Sequence, residues 1–394
     1  MNAPQASHRK ARLSASAYAA MFLFGIVMAV LGAVLPLLSA RLRFDLAQVG
    51  NLFLAMNLFM LLCSLGLGPV MDRFGMKPPL VLGPLLVGAA LLAIVTSEDY
   101  SRLVGGVCLL GLGGGALNSA SNTLIADLYS DAKQKNAALN MLGVFFGFGA
   151  LFIPFVIGLL LETLGLGGIL HSAALLCLLA AAYSARLAFP PPKQSQRLAF
   201  REAGRLVRLP LVVILGALLF FQSGNEFILG GYISTFLTRE AGMAVGAASY
   251  ALAGYWAALM IARVFLSRLL LRFNGHRLVL ISAACAAAGA ALVVGAKSDT
   301  AAVIAVVLTG VSLSGIFPTV LGLAGAQFAS YSGTVFGLLF TMALAGGMTL
   351  PWVTGQVAEA LGLRLALSLV TAHFLMIFAL QAFAGRYLRA SPTG

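Results

Sequence analysis

The chain has 394 residues, 60% of them hydrophobic and only 9% charged, with a mean hydropathy of +0.99 and a formal net charge of +13. Soluble domains average about 25% charged residues, so this composition argues against a water-soluble fold. Four cysteines, Cys63, Cys108, Cys177 and Cys285, lie scattered in apolar stretches, which suits packing rather than a disulfide framework or a metal site.

Apolar runs of about 20 residues recur along the whole length, each sufficient to cross roughly 30 Å of hydrocarbon. Twelve are expected, at about 15–39, 47–70, 78–97, 103–128, 137–161, 167–189, 211–237, 245–267, 277–296, 301–327, 333–357 and 364–386. They divide six and six around a polar segment, Pro190 to Pro210. The expected organisation is an all-α integral membrane protein: a six-helix bundle over 1–189, a cytoplasmic linker over 190–210 and a second bundle over 211–394. Loops this short leave no room for a soluble catalytic domain. Arg9 to Arg12 followed by an apolar run suggests a signal peptide. That run extends to about Leu38, however, and its removal would spoil the symmetry, so it is read as the first span.

The positive charge does not indicate nucleic acid. Six of the 25 Lys and Arg (Arg41, Arg43, Arg102, Arg239, Lys297 and Arg364) fall on one side of this arrangement, and the other nineteen fall on the side of the N-terminus. This is the positive-inside bias. It places both termini and the linker in the cytoplasm, with anionic lipid as a contact. The Ala/Leu/Gly-rich composition fits a bacterial inner membrane.

Between the second and third spans the chain reads Gly68-Pro69-Val70-Met71-Asp72-Arg73-Phe74-Gly75-Met76-Lys77. An acid among cations at a helix terminus can bias one of two domain arrangements; the plain alternative is a solvated turn. In the second half, Arg268 to Gly275 keeps Arg272, Phe273 and Gly275 but has Leu271 in place of the acid. The fourth span carries Asn118 and Asn122 one turn apart, with Ser121 beside them.

The fifth span introduces a repeat. Gly149, Pro154, Gly158, Glu162, Leu164, Gly165 and Leu166 recur as Gly346, Pro351, Gly355, Glu359, Leu361, Gly362 and Leu363. The offset is constant at 197 residues (149 to 346), half of 394. Such self-similarity marks a duplicated unit, and duplicated membrane halves characterise secondary transporters. Small residues permit close helix approach and proline bends a helix, so Gly149, Pro154, Gly158, Gly346, Pro351 and Gly355 are hinge or packing candidates. Glu162 and Glu359 are expected to be solvated.

Eleven of the twelve acids sit in loops or near span ends; Glu226, near the middle of the seventh span, is the exception. A charge at mid-membrane costs roughly 2.5–3.5 kcal/mol on the mildest scale and is by default a functional hypothesis. Gln222, Asn225 and Glu226 follow at i, i+3 and i+4, on one helical face, and Tyr232 extends it. Amide and carboxyl groups suit a polyhydroxylated ligand, and Trp352, Trp256 and abundant Phe can stack on a sugar ring. Interhelical hydrogen bonding is the structural alternative. His171 and His373 read as packing residues. No Lys or Arg sits at mid-span, Arg263 coming nearest but toward the cytoplasmic end of its helix, so an organic anion is the less expected solute.

The Asp72 loop resembles the G-x-x-x-D-R-x-G-x-R/K signature of the major facilitator superfamily. The resemblance covers the whole chain. It implies twelve helices in two pseudo-repeats around a central cavity lined by helices 1, 4, 7 and 10, and a conformational latch at Asp72, Arg73 and Lys77. Three shorter motifs resemble the fucose/glucose–proton symporter branch: Gly315-Ile316-Phe317-Pro318-Thr319, the run Ala262 to Leu269, and the N-x-x-x-N-T-L phrase at Asn118. Helix 1 lacks the acid found in that branch, so its proton site does not carry over.

The expected function is alternating-access transport of a small polar solute, a monosaccharide first. Asn118, Asn122, Gln222, Asn225, Glu226, Tyr232 and Trp352 are the expected substrate contacts, and Glu226 the ion-coupling residue for proton or sodium. A monomer without cofactor, metal or nucleic-acid partner is expected. The alternatives are a proton-coupled exporter of lipophilic compounds, weakened because Ile153 precedes Pro154 where the exporter signature has glycine, and a lipid transporter or non-transporting sensor. No nucleophile–base or metal constellation marks an enzyme.

Overall fold

The computed structural model describes residues 3–129, 131–191, 206, 208–269, 274–328 and 332–389. Most of the predicted linker, and Leu271, Arg272 and Phe273, lie outside the described residues. All elements among the described residues are helices: α1 (Ala3–Leu42), α2 (Leu46–Phe74), α3 (Lys77–Thr96), α4 (Tyr100–Leu128), α5 (Ala132–Ala185), α6 (Pro210–Arg239), α7 (Val245–Leu269), α8 (Gly275–Gly295), α9 (Asp299–Leu313), α10 (Ile316–Gln327), α11 (Ser332–Leu361) and α12 (Leu363–Arg389).

Eleven helical segments among the described residues are long and apolar enough to cross a membrane. The count differs from the expected twelve at one place. The fifth and sixth predicted spans form α5, 54 residues long, broken internally at Gly165 with φ 62° and ψ 171°. Only glycine adopts that combination readily. The tenth predicted span is interrupted: α9 ends at Leu313 and α10 begins at Ile316, with the Ser314 hydroxyl turned back onto the Val311 carbonyl at 2.6 Å.

Several acids near span ends cap helices. Asp99 accepts from the Arg102 N–H at 2.8 Å, Asp131 from Gln134 at 2.9 Å and Asp45 from Gln48 at 2.7 Å. Each satisfies one of the first-turn donors that a helix leaves unpaired. Glu359 is exposed, as expected, and its carboxylate also accepts the Leu46 N–H at 2.9 Å, capping the start of α2 from far along the chain. In the Asp72 loop, Gly75 takes a positive φ of 78° and donates to the Met71 carbonyl, which turns the chain into α3.

The chain divides into two compact units. The first comprises residues 1–44, 55–195 and 245–253. Here α1 packs most extensively on α5, and α3 on α4 and α5. Gly149 and Gly25 bring the α1 and α5 backbones together: a Cβ at Gly149 would strike the Phe22 carbonyl. Further along α5, Gly158 lies against the Tyr250 ring.

The second unit comprises 45–54, 196–244 and 254–394. Here α6 packs most extensively on α11, and α8 on α9 and α12. Gly346 repeats the role of Gly149, against the Phe220 carbonyl. Gly355 meets the Leu46 carbonyl, Gly50 and the Tyr232 hydroxyl. Both copies of the repeat end in a positive-φ glycine, Gly165 and Gly362. The first glycine of each copy therefore pins two helices within one unit.

Adding one methyl at these contacts should be costly, since overpacking a tight interface destabilises by about 1–3 kcal/mol. Gly149→Ala and Gly346→Ala are expected to lower the unfolding temperature of the detergent-solubilised protein. Gly143→Ala, which meets nothing within 4 Å, should leave it unchanged; equal effects at all three positions would contradict this packing.

Candidate functional site

The acid that the sequence singles out is met by a base. On α6, Glu226 is 9% exposed and Gln222 fully buried. One turn apart, they join through a Gln222 Nε2–H donated to Glu226 Oε2 at 3.1 Å. From α7, Arg263 Nη2 donates to both carboxylate oxygens, at 3.5 and 3.4 Å. Its side chain is 30% exposed and that of Glu226 12%. An isolated carboxylate at this depth would be costly; the guanidinium supplies the counter-charge.

Asn225 turns away from this pair. Its Oδ1 pairs with Nδ1 of His373 on α12 at 2.9 Å, and the His373 ring packs on Phe221 with centroids 5.4 Å apart. The predicted polar face of α6 thus splits, Gln222 and Glu226 toward α7 and Asn225 toward α12. His373 has a hydrogen-bonded role beyond the packing expected of it. Tyr255 of α7 is buried and within electrostatic reach of both Glu226 and Arg263.

Four polar atoms around this cluster are buried without a hydrogen-bond partner among the described residues: Gln222 Oε1, Asn225 Nδ2, the Tyr255 hydroxyl and Arg263 Nε. Buried polar groups are paired in the large majority of cases, so these atoms leave hydrogen-bonding capacity for a polar guest or for water, three of them beside the ion pair and Asn225 Nδ2 on the face toward α12. The remaining predicted contacts lie elsewhere. Tyr232 is fully buried and donates to the Pro351 carbonyl at 3.0 Å. Trp352, 36% exposed, donates its indole N–H to Asn51 at 3.0 Å. Trp256 is buried against Tyr255, their centroids 5.2 Å apart, and offers no open ring face. In the first unit, Asn122 donates to the backbone and side-chain oxygens of Asn118 at 2.9 and 3.0 Å.

Sequence reasoning missed Arg263, Tyr255 and His373 as site residues. Arg263 sits toward the end of its helix, but helical side chains lean toward the N-terminus, and a long arginine carries its charge back by about a turn. The eight-residue spacing from Tyr255 to Arg263 places both on one face of α7 and was the available signal. The first unit holds a cavity of a different kind, about 350 Å³ in volume, lined by Phe22, Phe145, Phe148, Leu151, Phe152 and Phe155. No group of three or more His, Cys, Asp or Glu able to hold a metal occurs among the described residues.

A many-spanning helical protein with a buried ion pair and orphaned polar atoms in one bundle has the make-up of a membrane transporter. The family model of the Major Facilitator Superfamily matches residues 17–222, and the chain belongs to that superfamily. A Protein TsgA homolog of Erwinia tasmaniensis is 25% identical over 372 residues, 92% of each chain. The nucleoside transporter NupG matches in structure with a TM-score of 0.79 and 15% identity, over 95% of this chain and 99% of that one. The E. coli fucose:proton symporter FucP matches with a TM-score of 0.63 and 21% identity, over 94% and 98%. At these identities the structural likenesses establish the fold.

Removing one partner of a buried pair leaves an uncompensated charge and costs about 3–5 kcal/mol; partial exposure of Arg263 sets the expectation at the lower end. Arg263→Gln should therefore lower the melting temperature of the purified protein clearly. The Glu226→Gln/Arg263→Gln double variant should recover most of the loss. Simple additivity of the two single effects in thermal unfolding would show that the pair is not coupled.

Proposed function

We propose that the protein is a secondary active transporter of a small polar solute, of the monosaccharide class, coupled to protons through Glu226. The observation that carries this reading is the Gln222–Glu226–Arg263 cluster: a titratable acid, its counter-ion and unpaired polar atoms in the interior of a superfamily member whose spans are otherwise apolar. Proton uptake by Glu226 would release Arg263 and Gln222 toward a ligand. Asn225, held by His373, is a further proposed contact there, and Asn118 and Asn122 are proposed contacts within the first unit. Tyr232 and Trp352 are assigned a positioning role, because their polar atoms are engaged with Pro351 and Asn51.

In this reading α5 crosses twice, turning at Gly165. That gives twelve crossings in two six-helix halves, 1–189 and 211–394, joined by a cytoplasmic linker at 190–210. The repeat supports the division, with matched glycine contacts at Gly149 and Gly346 and matched turns at Gly165 and Gly362. Pro154, Gly158, Pro351 and Gly355 are the proposed points of flexure, and Asp72, Arg73 and Lys77 the proposed latch. Nineteen of 25 cationic residues on one side support cytoplasmic termini in a bacterial inner membrane. A second reading, export of lipophilic compounds, is favoured by the phenylalanine-lined cavity alone.

In proteoliposomes, wild-type protein should accumulate its solute under an inward pH gradient. Glu226→Gln should abolish accumulation while leaving exchange intact. Wild-type accumulation by that variant would remove Glu226 from coupling, and accumulation that follows a sodium gradient instead would replace the proton. Transport of lipophilic compounds in place of any sugar-class solute would favour the exporter. Asp72→Asn is expected to slow turnover several-fold without altering apparent affinity; an unchanged rate would return Asp72 to the role of a simple turn residue.

A further inference from the structure

We infer that Arg263 is the specificity residue of this site and that the solute is an acid: a small polyhydroxylated monocarboxylate whose carboxylate displaces Glu226 from the guanidinium. The inference rests on the proposed proton-coupled transport and narrows its substrate class.

The geometry of the pair comes first. Glu226 is held by a single guanidinium nitrogen, Nη2, at 3.4 and 3.5 Å from its two oxygens. These are long for charge-assisted hydrogen bonds, which run at about 2.7–2.9 Å. The neighbouring Nε–H on the same edge is buried and has no partner among the described residues. An Nε–Nη2 edge is a two-pronged fork that fits a carboxylate with both oxygens engaged. Glu226 engages only Nη2 while the buried Nε–H has no partner, so a carboxylate that replaced Glu226 with both oxygens on this edge would satisfy a donor that Glu226 leaves unpaired.

Charge balance points the same way. In the empty site, Glu226 and Arg263 together carry no net charge. If a proton neutralises Glu226 and a neutral sugar enters, the loaded site is left with the bare arginine cation, which is unfavourable inside a membrane. If a monoanion enters, the proton rests on the Glu226 carboxyl, the ligand carboxylate takes the Arg263 fork, and the loaded site is again neutral. One proton then moves with one anion, and both the empty and the loaded site cross without net charge. The charged or titratable groups facing Glu226 are Arg263 and Tyr255 on α7 and, through Asn225, His373 on α12. The only titratable residue of α11 is Glu359, which accepts the Leu46 N–H; α10, which also packs on α6, has none, and that of α9 is Asp299 in its first turn. No second acid therefore balances the arginine among the described residues of these helices. Gln222 Oε1 and the Tyr255 hydroxyl are unpaired, and they supply an acceptor and a donor of the kind that ligand hydroxyls require.

The test is counterflow and pH-driven uptake in proteoliposomes of the full chain, with a panel of neutral hexoses beside the corresponding aldonates and uronates. Sugar acids should exchange and neutral hexoses should not, with at least a hundredfold separation in apparent affinity. Imposing a membrane potential should leave acid uptake unchanged. Glu226→Gln should keep acid exchange but lose pH-driven accumulation, whereas Arg263→Gln should lose exchange by a hundredfold or more and Arg263→Lys by at least tenfold. The Glu226→Gln/Arg263→Gln double variant, which removes both charges and protects the fold, should also fail to bind the acids by ligand-dependent thermal shift. Undiminished acid binding by that variant would overturn the inference. Proton-driven uptake of a neutral hexose with no transport of acids would overturn it while leaving the transporter reading intact. If neither class moved, both would fall.

Discussion

A charge placed in the middle of a membrane-spanning helix must be answered from within the protein, because hydrocarbon supplies neither counter-ions nor hydrogen bonds. Glu226 imposes that demand on the second unit. Arg263 answers with charge and Gln222 with a hydrogen bond, and Asn225 is drawn the other way by His373. These links tie α6 to α7 and α12, so the chemistry of the site and the cohesion of the bundle share the same atoms.

The apolar part of the fold obeys a simpler constraint. Lipid provides no hydrophobic drive for helices to associate, so stability comes from close backbone approach. Gly149 against Phe22 and Gly346 against Phe220 provide it at equivalent places in the two units. A duplicated sequence here produces a duplicated contact. The polar site is not duplicated: the position equivalent to Glu226 in the first half carries no acid, and Asn118 and Asn122 bond mainly to each other.

Much of the fold was legible because its signals are local. Span positions follow from runs of apolar residues, the duplication from a constant offset, and the importance of Glu226 from its isolation among apolar neighbours. What escaped the sequence is relational. The reach of Arg263 depends on side-chain direction and on which face of α7 meets α6. Glu359 reads as a solvated acid and is exposed, but its cap on the distant α2 has no local signal. The hydrogen bonds of Tyr232 to Pro351 and of Trp352 to Asn51 join residues distant in the chain and have no local signal. The apolar runs predict a short loop between two spans near Gly165, whereas helical geometry continues on both sides of a kink confined to that residue.

That single residue carries a consequence for biosynthesis. A straight helix of 54 residues would extend about 80 Å at 1.5 Å per residue, far beyond one hydrocarbon layer. The positive-φ backbone at Gly165 kinks the helix, and in the proposed twelve-crossing reading this is where the chain turns back and the sidedness of every later segment is set. A residue with a Cβ at this position would press the turn toward an ordinary helix, with a penalty of order 1–3 kcal/mol for holding the native angles. On that reading the fault would surface as a parity error in insertion, with α6 and all that follows inverted, rather than as a local loss of packing.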